Sequence, residues 1–322
     1  MSNQSEQPIK TAIVGTGFIG RAWAISFARA GASVRLWDQA DGAAIKAVDY
    51  VSGVLNDLAQ NDLLNGQEPT AVLARISAVA TLEEALADAS HVQENTPEVL
   101  ETKIRVFQML DAAARPDAVL ASSTSALLPS HFTEGLKGRG RCIVVHPINP
   151  PYLIPAVEVV PTPWTTPETV EHTRKFMESA GHAPIVMKKE LDGFIMNRLQ
   201  GALLEEAFRL VADGYGSVED VDIGLREGLA LRWSFMGPFE TIDLNAPGGI
   251  RDYCERYQGI YSNIFPQMQR RVDWAGAVMD TIEPERRKSL PAGELQQRQI
   301  WRDNRLMALA AHKRRAAKDI GK

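Results

Sequence analysis

Near its start the chain reads Ile13-Val14-Gly15-Thr16-Gly17-Phe18-Ile19-Gly20, an apolar run leading into three glycines spaced G-x-G-x-x-G. That spacing has a physical reading where a strand turns into a helix beside a pyrophosphate. Gly15 permits the tight turn, Gly17 lets the backbone approach the phosphates, and Gly20 lets helix and strand pack closely. The first helical residues, Phe18 and Ile19, then offer free amides and the positive end of a helix dipole to the anion. The predicted helix closes at Gly31, and a second apolar run ends at Asp38. An acidic residue at that distance accepts hydrogen bonds from an adenosine ribose, and its charge repels a 2′-phosphate. The expected cofactor is NAD rather than NADP. A βαβ turn with incidental glycines and a surface aspartate is the weaker alternative. Arg21, next after the last glycine, either faces the phosphates or is a solvated first-turn arginine.

Further segments carry polar groups that packing alone does not call for. Ser122-Ser123-Thr124-Ser125 ends one predicted strand, and His146-Pro147-Ile148-Asn149-Pro150-Pro151 ends the next. Glu158 lies twelve residues after His146, and Asp192-Gly193-Phe194-Ile195-Met196-Asn197-Arg198-Leu199 opens a helical pattern. Removing hydride from a secondary alcohol requires that its hydroxyl proton leave as well. A histidine titrates in the right range to take that proton, and a carboxylate on its other nitrogen fixes the tautomer. Donors aimed at the developing oxyanion lower the barrier. Taken singly, each residue has a plainer reading. His146 is then a strand-end histidine satisfied by backbone, Ser125 an N-cap for the segment from Ala126, and Asn197 a polar residue of a helix.

The elements that must position these residues alternate in type. Strand candidates are Thr11–Val14, Ser33–Trp37, Arg75–Val79, His91–Glu94, Val119–Ser122 and Cys142–His146, with Val157–Val160 and Pro184–Met187 beyond them. Helical patterns fall between, notably Ile19–Ala30, Ala43–Ala59 and Glu98–Ala113. Such alternation predicts βαβ units around a buried parallel sheet. After Asp192 no convincing strand follows. Asn197–Val211 is apolar at helical spacing, and Ser217 begins a capping-box pattern with Asp220. The expected fold is α/β: an N-terminal Rossmann-type doubly wound parallel sheet over residues 1–190, then an all-α domain over residues 191–322.

In chain order, these segments resemble the L-3-hydroxyacyl-CoA dehydrogenase family, and within it the λ-crystallin / L-gulonate 3-dehydrogenase branch, from about Lys10 to about Tyr257. The resemblance implies a general base at His146, its carboxylate partner at Glu158, and contacts to the substrate oxygen from Ser125 and Asn197. It places Glu98 and Lys103 beside the nicotinamide end of NAD. It also implies a helical domain of the kind that pairs into homodimers. Family members acting on acyl-CoA carry lysines on the helical arm after the second strand. Here Gln39–Pro69 has Lys46 as its only basic residue, against Asp41, Asp49, Asp57, Asp62 and Glu68. Such a face is a poor electrostatic match for a polyanion. Arg232 stands just before Ser234-Phe235-Met236-Gly237-Pro238-Phe239, as in the λ-crystallin branch and the related carnitine dehydrogenases. It is a candidate bidentate clamp for a substrate carboxylate, or else an interdomain or subunit-interface salt bridge. The expected activity is NAD-dependent oxidation of a small L-3-hydroxy acid at C3. The alternatives are an L-3-hydroxyacyl-CoA dehydrogenase and a non-catalytic, NAD-binding crystallin-like protein.

Composition narrows the field further. The 322 residues are 45% hydrophobic and 23% charged, with a net charge of -5. A chain of this length buries a core without staples, which excludes disorder, collagen and disulfide scaffolds. The acidic balance disfavours nucleic acid as a partner. Cys142 and Cys254 are too few for a disulfide framework, read as buried small hydrophobes, and point to a reducing compartment. His91, His131, His172, His182 and His312 show no metal-ligand spacing, so no metal is expected. Met1 to Lys10 is polar and reads as no signal peptide, and no apolar run reaches the length of a membrane span. The expectation is a soluble, cytoplasmic protein with no membrane partner. The basic tail Arg298–Lys322 reads as an amphipathic helix packing on its own dimer, with a partner or membrane surface as the minor alternative.

Overall fold

A computed structural model describes residues 9–321. The signal-peptide expectation for Met1 to Lys10 therefore falls mostly outside the described residues, as does Lys322 at the end of the tail.

Among the described residues, eight strands form one sheet: β1 (Lys10–Val14), β2 (Ser33–Trp37), β3 (Ile76–Ala78), β4 (His91–Glu94), β5 (Val119–Ser122), β6 (Cys142–Pro147), β7 (Ala156–Pro161) and β8 (Ala183–Val186). Their order across the sheet is β3-β2-β1-β4-β5-β6-β7-β8. Every neighbouring pair from β3 to β6 is parallel. The expected doubly wound α/β architecture is thus present, with one departure: β7 runs antiparallel to β6, and β8 then runs parallel to β7. Residues 148–155 alone join β6 to β7. A parallel crossover needs about a dozen residues or more, so this short link sends the chain back beside itself.

Helices cover both faces of the sheet, including Phe18–Arg29, Ala43–Gln60 and Leu100–Ala113. Helix Pro167–Ser179 was not foreseen. The Thr166 side chain caps it by accepting from the Thr169 amide, and Pro167 occupies its first turn. Two buried clusters result. Trp23, Phe27, Leu36, Leu55, Val145 and Phe176 belong to one, and Val14, Val92, Phe107, Leu120, Val144 and Phe194 to the other. Successive residues of β6 alternate between them, as in a strand covered on both faces.

By their contacts the residues divide into two units. One runs through Asn197 and includes Asp303–His312; the other comprises Arg198–Arg302 and the chain from Lys313. The second unit is helical among the described residues, and Ser217 and Asp220 form the anticipated capping box at Val218–Ile223. Cys142 is buried, and burial pushes its thiol up to about 12. The expectation for Cys254 is corrected, because it is exposed on helix Gly249–Ile264, none of whose residues is buried. Ile250, Tyr257, Ile260, Tyr261 and Ile264 share that exposure.

The tail forms helix Leu295–Asp319, but Met307 and Ala311 are buried in the core cluster that holds Trp23 and Leu55. Its middle turns therefore rest on this chain's own core. No helix among the described residues is long and apolar enough to cross a membrane.

Candidate active site

The glycine loop joins β1 to helix Phe18–Arg29. Gly15 has φ +85, and a Cβ there would lie 2.9 Å from the Asn95 carbonyl carbon. A Cβ at Gly20 would lie 2.0 Å from the Gly15 carbonyl oxygen. At Gly17 it would meet nothing within 4 Å, and no side chain caps the helix amides that follow. That opening fits a pyrophosphate lying on the amides of Phe18 and Ile19. At the end of β2, Asp38 Oδ2 accepts the Thr16 amide at 2.6 Å and hydroxyl at 3.0 Å, while Oδ1 accepts the Ala40 amide at 2.9 Å. A carboxylate has about four acceptor sites, which leaves capacity for a ribose hydroxyl. The residues present fit NAD. The Arg21 guanidinium lies over the Tyr50 ring at 3.5 Å and over the Phe18 ring at 4.5 Å, a stacked cation–π arrangement.

The turn-back after β6 builds the second part of the site. Its register pairs His146 with Glu158, and His146 Nδ1 lies 2.7 Å from Glu158 Oε2. Glu158 is fully buried and His146 nearly so. The other oxygen, Glu158 Oε1, accepts the amides of Ile195 at 2.7 Å and Met196 at 2.8 Å, where helix Met196–Ala212 begins. To deliver both amides the chain passes through left-handed backbone at Gly193 (φ +74) and Phe194 (φ +47). Left-handed backbone costs a residue with a Cβ roughly 1–2 kcal/mol. Burial of the Phe194 ring, worth about 1.5–3 kcal/mol, offsets it, and that ring lies 5.6 Å from the imidazole.

Asn197, in the first turn of that helix, donates from Nδ2 to the Ser125 carbonyl at 2.7 Å. The loop carrying Ser125 follows β5 and converges on Glu98. Its Oε1 accepts the amides of Ser125 and Ala126, both at 3.0 Å, and the Thr124 hydroxyl. Burial opposes the charge on Glu98, yet the Thr124 hydroxyl, the loop amides and the nearby Lys103 ammonium hold its carboxyl below the usual glutamate range. Lys103 itself is buried and donates to Glu94 and to the Thr96 carbonyl. Glu94 went unnoticed in the sequence. The available signal was a charge closing a strand otherwise fit for burial, since ionised side chains are almost never fully buried unless paired.

The structure thus brings His146, Glu158, Ser125, Asn197 and Glu98 together in the first unit, with Lys103 beneath the loop. Arg232 belongs to the second unit, where it is exposed on the short helix Ala230–Trp233.

A dinucleotide-binding sheet carrying a histidine–carboxylate pair, followed by a helical unit, defines an NAD-dependent oxidoreductase acting on a hydroxyl group. The chain belongs to the 3-hydroxyacyl-CoA dehydrogenase family, whose NAD binding domain matches residues 10–191 and whose C-terminal domain matches residues 193–280. It is 39% identical over 305 residues to the lambda-crystallin of Oryctolagus cuniculus, covering 94% of this chain and 95% of that one. It is 40% identical over 251 residues to an L-carnitine dehydrogenase from a Pseudomonas species, covering 77% of each chain. Among solved structures it resembles a 5-formyl-3-hydroxy-2-methylpyridine 4-carboxylic acid 5-dehydrogenase, an NAD+-dependent dismutase. That match has a TM-score of 0.80 at 26% identity and covers 96% of this chain and 98% of that one.

Proposed function

We propose that this protein oxidises a small, free L-3-hydroxy acid at C3, as an L-gulonate 3-dehydrogenase does, with His146 and Glu158 as its general-base pair. The observation that carries the reading is the 2.7 Å contact between His146 Nδ1 and Glu158 Oε2. With the Nδ1 proton donated to Glu158, His146 Nε2 is left as an acceptor for the substrate's hydroxyl proton. NAD, when bound, supplies the nicotinamide that takes the hydride from C3. The O–H electron pair becomes the second carbonyl bond, and Glu158 steadies the imidazolium that His146 becomes. Ser125 Oγ and the second N–H of the Asn197 amide hydrogen-bond the substrate oxygen and stabilise its developing charge. Glu98 and Lys103 belong to the nicotinamide end of the site.

Two observations favour a free acid over a CoA thioester. The segment Gln39–Pro69 presents five carboxylates and one lysine, a surface that repels a polyanion. Relatives at 40% identity are named for carnitine, not for a CoA ester. Arg232 is assigned to the substrate carboxylate. The protein acts as a homodimer, a reading supported by the apolar residues Ile250, Tyr257, Ile260 and Ile264 exposed in the second unit. It is placed in the cytoplasm, where its two free cysteines stay reduced. The test is His146→Gln. Turnover should fall by about two to four orders of magnitude while NADH affinity stays near wild type. Wild-type turnover in the folded variant would refute the base assignment.

A further inference from the structure

The pyrophosphate of a dinucleotide carries two full negative charges, whereas a helix N-terminus offers only about half a positive one. The surroundings of the glycine loop add acid rather than base. The Asp38 carboxylate lies on the Thr16 amide, and Gln39–Pro69 holds five carboxylates against Lys46. From Val14 to Arg21 the loop and first helical turn contain a single basic residue, Arg21. Its amide donates to the Gly17 carbonyl at 3.1 Å, so Arg21 closes the turn that begins with the uncapped amides of Phe18 and Ile19.

The Arg21 side chain is held in place with its donors free. Its guanidinium lies over the Tyr50 ring at 3.5 Å and over the Phe18 ring at 4.5 Å. A cation over a ring is attracted by the ring's electrons, and that contact uses none of the five N–H donors of a guanidinium. Among the described residues, Arg21 makes no side-chain hydrogen bond or ion pair. Phe18 is 70% exposed and Tyr50 is half-buried on helix Ala43–Gln60, so the two rings pin the cation at the margin of the loop. A pinned guanidinium with a free fork of donors is preorganised for an oxyanion. We infer that Arg21 supplies the countercharge for the cofactor's pyrophosphate, donating to a phosphoryl oxygen beside the Phe18 and Ile19 amides, with Tyr50 and Phe18 as the platform that orients it. The inference concerns the cofactor alone and stands whichever hydroxy acid is oxidised.

The test compares full-length Arg21→Met, Arg21→Lys and Tyr50→Leu with wild type by NADH fluorescence, using ADP and adenosine as competitors. ADP carries the diphosphate and adenosine lacks it. Arg21→Met should weaken NADH and ADP about ten- to a hundredfold, the scale of one charge-assisted contact, and leave adenosine within about twofold. Its NADH affinity should also depend less steeply on salt, because one screened attraction is gone. Arg21→Lys should recover part of the loss, since an ammonium keeps the charge but lacks the fork. Tyr50→Leu should weaken NADH by a smaller factor, about three- to tenfold, because the charge remains but is no longer held. NADH and ADP bound by Arg21→Met within about twofold of wild type would overturn the inference. So would an equal loss for adenosine, which marks a damaged fold rather than a missing charge. A raised KM for a hydroxy acid with NADH binding unchanged would give Arg21 to the substrate's carboxylate and overturn it as well. Should Arg21→Met fail to fold, Arg21→Lys carries the test through the same comparison of ADP with adenosine.

Discussion

Glu158 stands directly opposite His146 in the antiparallel pairing of β6 with β7, and the two side chains meet at 2.7 Å. Directly opposed residues have Cβ atoms about 4.5–5.5 Å apart, a span that an imidazole and a carboxylate bridge without strain. The same carboxylate accepts the Ile195 and Met196 amides. One buried carboxylate therefore orients the His146 imidazole and anchors the chain where the helix bearing Asn197 begins. The short link after β6 makes this possible, because a parallel crossover would carry Glu158 away from His146.

Glu158→Gln should consequently do two things. It should lower kcat by roughly ten- to a hundredfold, less than the loss of His146 itself, and it should shift the pH–rate profile. An amide oxygen can serve His146 or the two backbone amides, but not all of them as the carboxylate does. Steady-state rates across pH check this; an unchanged profile with wild-type kcat contradicts the pairing.

The glycines of the phosphate loop should separate by effect. Gly17→Ala has room in the protein, so its thermal stability should match wild type while NAD affinity falls, because the methyl group occupies the pyrophosphate's place. Gly20→Ala forces a Cβ onto the Gly15 carbonyl and should destabilise the fold outright. Asp38→Ala should weaken NAD and relax discrimination against NADP, with a looser Thr16 as a side effect. Calorimetric melting beside nucleotide titration distinguishes the three.

Acid should weaken the fold before carboxylates titrate. Burial pushes His91 down to about 4, against its hydrogen bond with Gln93. Burial likewise lowers His182 to about 4. Both are neutral in the fold and protonate near 6.5 once unfolded. The unfolded state thus binds more protons below that value, and stability is lost progressively from about pH 6.5 down to about pH 4. Each histidine contributes up to about 1.4 kcal/mol per pH unit inside that window. Denaturant titrations at pH 7, 6 and 5 should show the decline, and His91→Gln should flatten it. An equal slope in the variant would rule His91 out as a source.

If Arg232 binds the substrate carboxylate, Arg232→Met should raise KM for a free hydroxy acid about ten- to a hundredfold, as expected for a charge-assisted contact of roughly 1.5–3 kcal/mol. NAD affinity should not move. Arg232→Lys should rescue only in part, since the planar fork is lost. Loss of the dimer on sedimentation, with all substrates affected alike, would identify an interface residue instead.

Much of the sheet was legible because strand ends coincide with turn residues and strands alternate with helices. Ser33–Trp37, His91–Glu94 and Val119–Ser122 agree residue for residue with the structure. The antiparallel β7 was not foreseen, although the shortness of the link after His146 carried the signal. Helix Pro167–Ser179 was missed despite Thr166-Pro167, because its residues are mostly polar and its buried Phe176 and Met177 come late. For Glu94 the sequence offers only a charge at a strand's end; the fold alone shows that this charge is enclosed with Lys103. Cys254 reads as buried but is exposed, because burial depends on what an amphipathic helix meets, and spacing alone does not say which face is covered.

Initial rates of NADH formation from L-gulonate, 3-hydroxybutyrate and L-carnitine, measured beside 3-hydroxybutyryl-CoA on the same full-length protein, test the central claim most directly. The account predicts that a free hydroxy acid has the highest kcat/KM, and that His146→Gln abolishes most of that rate. A higher kcat/KM for the CoA thioester would contradict it, as would tight NADH binding with no turnover of any of the four.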